Sequence, residues 1–215
     1  MKRLCRAVMP LFAVLALLFS TQAAAVASME STLPDWGNHT DQGLKSGPLG
    51  MTSDGSPGET PIAISIPDAD VDAEVEKNKI VDGKMLDPSG PWVVSWYQET
   101  GLAGDRVDYR NMVVSGHIDY WDVGPSVFQS VSALKPGALV YVTGEQGTVF
   151  TYAVASIEQV PAVPSAAQMQ AIAGRSKTPI LTIITCGGTF DEIKGEYPER
   201  TIVRANLIDS AALGQ

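Results

Sequence analysis

The sequence predicts a mainly β domain, either a barrel or a sandwich. Short runs of β-branched and aromatic residues recur at close spacing, with turns rich in Gly and Pro between them, and this pattern is typical of both architectures. Only one stretch of that domain has a convincing helical pattern. A length of 215 residues suits one domain with tails, and 45% hydrophobic with 18% charged residues is ordinary for a globular chain.

The strands are predicted from apolar residues at every second position, as in a strand with one buried face, and from short β-branched runs. The predicted strands are 62–66, 71–75, 92–97, 111–115, 139–143, 148–154, 180–185 and 201–207. A four-residue loop over 144–147 joins two of them as a hairpin. A short helical turn is expected within 127–134, and Ser165 is placed to cap a helix over 166–173.

The N-terminal segment has the order of features that marks an export signal. Lys2, Arg3 and Arg6 come first, an apolar run over 7–19 follows, and small residues occupy 23–27. We expect residues 1–27 to be a signal peptide or an N-terminal membrane anchor. A buried core helix is the remaining alternative. Because the basic end stays in the cytoplasm, the rest of the chain is expected outside it, at the membrane or the cell surface.

Residues 28–59 are expected to be a flexible linker. They are rich in Gly, Ser, Pro, Thr and Asp, lack an apolar period, and contain His39, which we expect to be solvated. The folded domain is then 60–215. The net charge of −9 argues against a nucleic-acid partner, because phosphate contacts need a basic face. No Cys and His residues are spaced for a metal, and we expect no metal and no cofactor.

Cys186 is the first candidate functional residue. The only other cysteine, Cys5, lies in the targeting segment, so Cys186 has no partner for an intramolecular disulfide. Exported proteins usually pair their cysteines, which favours a reactive thiol. Gly187 and Gly188 follow it and place it at the end of a strand rather than inside a core. The alternative is a buried cysteine that acts as a small hydrophobic residue.

Two further strand ends carry residues that would complete a catalytic set. If strands 180–185 and 201–207 pair antiparallel, Cys186 and Arg200 lie about 5 Å apart at Cβ, and the positive charge favours the thiolate. His117 follows Gly116 at the end of strand 111–115, although alone it could equally be a structural histidine. Together the three supply a nucleophile, an acid and base, and a stabiliser of the oxyanion.

At these residues the chain resembles the sortases. Leu181-Thr182-Ile183-Ile184-Thr185-Cys186 is similar to their TLxTC signature, without copying it strictly. Val113-Val114-Ser115-Gly116-His117-Ile118-Asp119 and Arg200-Thr201-Ile202-Val203 resemble the segments around the sortase histidine and arginine. Gly-His-x-Asp, Thr-Cys-Gly-Gly and Ser95-Trp96-Tyr97 are most like class F. The resemblance covers roughly 61–208, and Arg204, on the same strand as Arg200, is the reserve candidate for the arginine.

The resemblance implies a closed eight-stranded β-barrel with one or two short helices, and a cysteine transpeptidase. Such an enzyme cleaves an LPxTG-like sorting signal of surface proteins, holds the acyl group as a thioester, and passes it to an amine on the cell surface. Cys186 would be the nucleophile, His117 the acid and base, and Arg200 the oxyanion and substrate clamp. Thr185, Ala166 and Ile172 would contact the substrate, the last two with Pro161, Val163 and Pro164 in an apolar groove.

Two other functions remain open on the sequence. A secreted cysteine hydrolase or peptidase could use the same three residues and give the acyl group to water. The papain order, with Cys early and His late, is absent, and so is the Ser-His-Gly-Cys signature of peptidoglycan cross-linking transpeptidases. A non-enzymatic exported β-barrel that binds a partner would leave the unpaired thiol without a reason.

Overall fold

The computed structural model describes residues 55–212, so the predictions for residues 1–27 and for most of 28–59 lie outside the described residues. The described part is mainly β, as predicted. Its strands are β1 (Pro61–Ile66), β2 (Val71–Asn78), β3 (Ile80–Val81), β4 (Lys84–Met85), β5 (Val94–Tyr97), β6 (Met112–Ser115), β7 (Asp119–Tyr120), β8 (Gly124–Pro125), β9 (Leu139–Gly144), β10 (Thr148–Pro161), β11 (Ile180–Gly187) and β12 (Glu199–Ala212). One α-helix, α1 (Ala166–Ala173), and 3-10 turns at Pro67–Ala69 and Val131–Ala133 complete it.

Eight of these strands close into a barrel in the order β1-β2-β5-β6-β11-β12-β10-β9, which confirms the predicted architecture. The neighbours β2 and β5, and β6 and β11, run parallel, and the other pairs are antiparallel. The remaining short strands form two small hairpins outside the barrel, β3 with β4 and β7 with β8. Closure leaves the barrel without a free sheet edge.

The two longest strands exceed their predicted bounds, because β10 and β12 each run for 14 residues. They pair along almost their whole length, with register shifts between Thr151 and Tyr152 and between Val154 and Ser156. Such bulges bend a strand and increase its twist, so one strand can serve the barrel wall and continue beyond it. The strand predicted over 148–154 is shorter than β10, because the residues after Val154 no longer alternate between buried and exposed positions.

The barrel interior and the outer face of β11 hold separate apolar clusters. Leu181 and Ile183 belong to the large cluster that fills the barrel. Ile184 contacts a small outer cluster of Val160, Ile172 and Ile202, which α1 helps to cover. Because side chains alternate across a strand, Cys186 shares the outer face with Ile184.

Helix α1 begins at the residue that the sequence predicts. Ser165 Oγ accepts the backbone N–H of Gln168, and the Gln168 side chain accepts the backbone N–H of Ser165, which forms a reciprocal capping box. The buried Asn111 donates to the carbonyl of Ile172 and to Thr182 Oγ1 (2.8 Å). These bonds hold the helix against the outer face of β6 and β11. No helix among residues 55–212 is long and apolar enough to span a membrane.

Candidate active site

Cys186 and Arg200 are directly paired residues of neighbouring strands. In the β11–β12 ladder, Cys186 is opposite Arg200 and Ile184 is opposite Ile202. Directly opposite residues of an antiparallel pair project from the same face, with Cβ atoms about 4.5–5.5 Å apart. The structure therefore confirms the predicted cross-strand neighbours and places both side chains on the outer face of the barrel.

The His117 segment lies on the other side of β11. Strand β6 runs parallel to β11 with Ser115 opposite Ile184, so the chain continues with His117 level with Cys186. Two hydrogen bonds extend this register past the strand end. Gly116 N–H donates to the Ile184 carbonyl (3.3 Å), and Thr185 Oγ1 donates to the Gly116 carbonyl (2.8 Å). Cys186 and Arg200 thus lie on adjacent strands, and His117 follows the third strand at the level of Cys186.

Gly116 fixes the backbone just before the histidine. A Cβ at this position would lie 2.5 Å from the ring of Phe128, whose side chain is fully buried. In addition, the Phe128 N–H donates to the His117 carbonyl (2.8 Å). The chain therefore passes close against a buried ring, which only glycine permits, and the imidazole is carried by a rigid segment.

The Arg200 guanidinium is oriented by its own strand end. Its Nη1 donates to the carbonyls of Tyr197 (3.2 Å) and Glu199 (2.8 Å). A guanidinium has five N–H donors, so donors remain for an oxygen of a substrate. The alternative arginine, Arg204, pairs with Thr182 further along the ladder and forms an ion pair with Glu158 at 3.5 Å. The geometry therefore separates the two arginines and puts Arg200 beside the thiol.

The pKa of the Cys186 thiol is shifted upward, whereas the positive charge of Arg200 alone would shift it downward. Burial raises the pKa of the thiol, and the positive charge of Arg200 lowers it without offsetting the burial. The carboxylates of Asp119 and Asp87 raise the pKa further, and the result lies above the ordinary value for cysteine. At neutral pH the thiol form therefore dominates in the resting protein, and attack on a substrate requires transfer of its proton to a base.

Three contacts around the site involve residues that the sequence did not single out, namely Pro88, Tyr120 and Tyr197. Nε2 of His117 lies 3.2 Å from the carbonyl oxygen of Pro88. The His117 ring also packs edge-on against the ring of Tyr120, with the ring centroids 5.2 Å apart. Tyr197, in the loop between β11 and β12, donates its hydroxyl to Asp119 Oδ2. This bond raises the pKa of Tyr197 to about 12. It also joins the loop after β11 to strand β7, which follows His117 in the chain.

The predicted substrate-contacting residues occupy different positions relative to this face. Thr185 is buried and uses its hydroxyl to hold Gly116, so it positions the histidine segment. Ile172 is buried in the small outer cluster beside Ile184 and Ile202. Ala166 is the first residue of α1, whose last turn carries Ile172. Among residues 55–212, no group of three or more His, Cys, Asp or Glu side chains is arranged to hold a metal ion.

A family model matches the part of the chain that contains these residues. The sortase-domain model matches residues 64–208, which is more than half of the chain and includes all three candidate catalytic residues. The chain belongs to the sortase family. Sortases are transpeptidases, so the family makes this protein an enzyme of that type. No curated protein sequence matches the chain.

Solved sortases have the same fold at low sequence identity. Sortase A from Listeria monocytogenes superposes with a TM-score of 0.54 at 16% identity, covering 73% of this chain and 93% of that one. Sortase A from Corynebacterium diphtheriae gives 0.53 at 20% identity, covering 70% and 62%. Sortase E1 from Streptomyces coelicolor, solved with a tripeptide in the active site, gives 0.50 at 21% identity, covering 73% and 93%. At these identities the likeness is one of fold.

Proposed function

We propose that this sortase cleaves an LPxTG-like sorting signal of surface proteins through a thioester on Cys186 and transfers the acyl group to an amine on the cell surface. The observation that supports the proposal is the cross-strand pairing of Cys186 with Arg200, with His117 at the level of Cys186 just past the end of the neighbouring strand. A thiol, an imidazole and a guanidinium together supply every group that acyl transfer requires.

The first half-reaction forms the thioester. His117 takes the proton of Cys186, and the sulfur attacks the carbonyl carbon of the scissile peptide bond. Arg200 donates hydrogen bonds to the oxyanion that develops on that carbonyl, as a preorganised donor beside the nucleophile. The carbon–nitrogen bond then breaks, and the leaving amine takes the proton from the His117 ring.

The second half-reaction releases the product. An amine attacks the thioester carbon, gives a proton to His117, and the thiolate of Cys186 leaves and is reprotonated by the imidazolium. Water can enter the same step and give a carboxylic acid, which is the reaction of a hydrolase. A non-enzymatic binding barrel, the third reading of the sequence, would leave this arrangement unused. We therefore favour transfer, with hydrolysis as the competing outcome.

The apolar part of the substrate has a candidate position beside the small outer cluster. The connection between β10 and α1 carries Val163, which is 88% exposed, and Ala162 N–H donates to the carbonyl of Pro198 at 2.9 Å. This connection therefore lies against the loop that leads to Arg200. We infer that exposed apolar groups here, with α1 behind them, receive the Leu and Pro of a sorting signal.

The class and the location of the enzyme are also proposals. Gly116-His117-Ile118-Asp119 and Thr185-Cys186-Gly187-Gly188 support class F. The basic, apolar and small-residue order of residues 1–27 supports export, with retention at the membrane if that segment is not cleaved. Partners would then be sorting-signal peptides, an amine acceptor and the membrane.

The decisive experiment follows a sorting-signal peptide with and without a glycine peptide as acceptor. Mass spectrometry is expected to show an acyl adduct on Cys186 and, with the acceptor present, an amide product in place of the acid. Cys186→Ala is expected to remove both, whereas the matched Cys5→Ala variant keeps them. Acid alone at every acceptor concentration would identify a hydrolase, and activity in Cys186→Ala would exclude the thioester.

A further inference from the structure

The nitrogen atom of His117 that faces Pro88 has a defined partner. Nε2 lies 3.2 Å from the Pro88 carbonyl oxygen. A carbonyl oxygen can only accept a hydrogen bond, so a hydrogen bond between these two atoms has Nε2–H as its donor. In the neutral ring the unprotonated nitrogen is then Nδ1. Which nitrogen carries the proton decides which one can act as a base, so this contact bears directly on the chemistry.

A polar side chain of β2 binds the segment 86–89, which contains the Pro88 carbonyl. Asn78 Nδ2 donates to the carbonyls of Leu86 (3.3 Å) and Asp87 (3.1 Å), and to Ser95 Oγ (3.0 Å) on the next strand of the barrel. One amide therefore fixes two consecutive peptide groups immediately before Pro88. Because Asn78 belongs to a barrel strand, these hydrogen bonds anchor the segment to the sheet.

A carboxylate on the same strand holds the residue after Pro88. Glu76 accepts hydrogen bonds from the backbone N–H (2.9 Å) and hydroxyl (2.7 Å) of Ser89, and from Ser95 Oγ (2.7 Å). Burial raises the pKa of Glu76, but the bonds from Ser95 and Ser89 outweigh it and leave the pKa below its ordinary value. Glu76 is therefore ionised at neutral pH and accepts all three bonds as a carboxylate.

The segment is fixed on two further sides. The Tyr97 hydroxyl lies 2.8 Å from the Leu86 carbonyl, to which it donates, and 2.7 Å from Ser115 Oγ, two residues before His117. Further along, Val127 N–H donates to the Pro91 carbonyl (3.0 Å). The peptide groups on both sides of Pro88 are thus tied to the barrel, and the Pro88 carbonyl is held in place against the imidazole.

We propose that the Pro88 carbonyl sets the tautomer of His117, with Nε2 permanently protonated and Nδ1 as the exchanging nitrogen, and that Asn78 and Glu76 are positioning residues that hold this carbonyl. The proposal deepens the proposed function, since it assigns the atom that moves the proton. It assigns no contact with the substrate to either residue.

The proton balance of the reaction is consistent with this assignment. In acylation, Nδ1 takes the thiol proton and later gives it to the leaving amine, while the Nε2 proton stays on its bond to Pro88. In deacylation, Nδ1 takes a proton from the attacking amine and returns it to the sulfur. The imidazolium has two donors, so the bond to Pro88 persists in every state of the cycle.

The test measures the tautomer in the full-length protein without substrate, so its result is independent of any turnover. Ring ¹⁵N chemical shifts are recorded at about pH 9, where an ordinary imidazole is neutral, beside a histidine peptide, and His39→Gln separates the signals of the two histidines. We expect the Nε2–H fraction of His117 to exceed that of the peptide. A fraction equal to or below the peptide's would overturn the proposal.

Variants then test the positioning residues. Asn78→Ala is expected to return the tautomer fraction to the peptide's value and to lower kcat about 10- to 100-fold, with KM changed by less than about 3-fold, because proton transfer supplies about 10²–10⁴ of the rate. Glu76→Gln, which keeps the shape of the side chain, is expected to shift both in the same direction by less. Asn206→Ala, at an exposed position of β12, is the matched control.

The outcomes distinguish the tautomer from the proposed function. If the tautomer is as expected but no sorting peptide is cleaved, the proposed function fails and the assignment of the nitrogen atoms stands. If peptides are cleaved and Asn78→Ala changes neither the tautomer nor kcat, the positioning role is wrong. An Asn78→Ala protein that loses its fold is recognised by its NMR spectrum, and the wild-type tautomer and Glu76→Gln then decide.

Discussion

Replacing Arg200 is expected to affect activity much more than replacing Arg204, because the two arginines of β12 lie at different distances from the Cys186 thiol. Arg200 is directly opposite Cys186, whereas Arg204 is opposite Thr182, four residues along the strand. At about 3.3 Å per residue that offset is about 13 Å, which exceeds the combined length of an extended arginine side chain and a hydrogen bond. The ladder therefore allows only Arg200 to stabilise the oxyanion.

The expected loss of kcat follows from the proposed role of each arginine. Loss of one preorganised oxyanion donor costs about 10²–10³ in kcat, or about 2.7–4 kcal/mol. Arg204 forms an ion pair with Glu158, which is 48% exposed, and such pairs contribute about 0–1 kcal/mol to stability. We expect Arg200→Ala to lower kcat about 100- to 1,000-fold and Arg204→Ala to change it by less than about 3-fold.

The assay is cleavage of a fluorogenic sorting-signal peptide, with thermal unfolding recorded for each variant to show that the barrel is intact. Arg200→Lys retains the charge but loses the planar set of donors, so an intermediate rate is expected. A larger loss for Arg204→Ala than for Arg200→Ala would refute the reasoning. An Arg200→Ala enzyme within about 3-fold of wild type would do so as well.

Two further predictions concern the thiol and the histidine segment. Because burial raises the pKa of Cys186 above its ordinary value, its thiolate forms at higher pH than that of a cysteine peptide. In a Cys5→Ser background, alkylation by iodoacetamide is expected to have its midpoint above the peptide's, and a midpoint below it would contradict an upward shift of the thiol pKa. Gly116→Ala places a Cβ 2.5 Å from the Phe128 ring and is expected to destabilise the domain by about 1–3 kcal/mol in urea unfolding. The matched control is Gly90→Ala, whose Cβ would have its nearest neighbour at 4.0 Å, and equal losses in the two variants would rule out the clash.

The sequence was sufficient for the elements whose signal is local. Alternating apolar residues located the barrel strands, and Ser165 located the start of α1, because both patterns depend on residues within a few positions of each other. The strand ends were less well predicted, since β10 continues to Pro161 through a bulge that no local pattern marks. The pairing of Cys186 with Arg200 was also predictable, because a single loop joins their two strands.

Contacts between distant segments and the effects of burial were decided only by the tertiary structure. A backbone carbonyl has no sequence signature, so nothing at Pro88 pointed to His117, 29 residues further along the chain. The link from Tyr197 to Asp119 likewise depends on two loops meeting. The sign of the Cys186 pKa shift is set by desolvation and two carboxylates, which raise the pKa, against one cation, which lowers it, and desolvation exists only once the chain has packed. The sequence by itself determined which chemical groups are present and on which strands. The sheet topology decided how they face one another, because only the parallel pairing of β6 with β11 brings the His117 segment beside the Cys186–Arg200 pair.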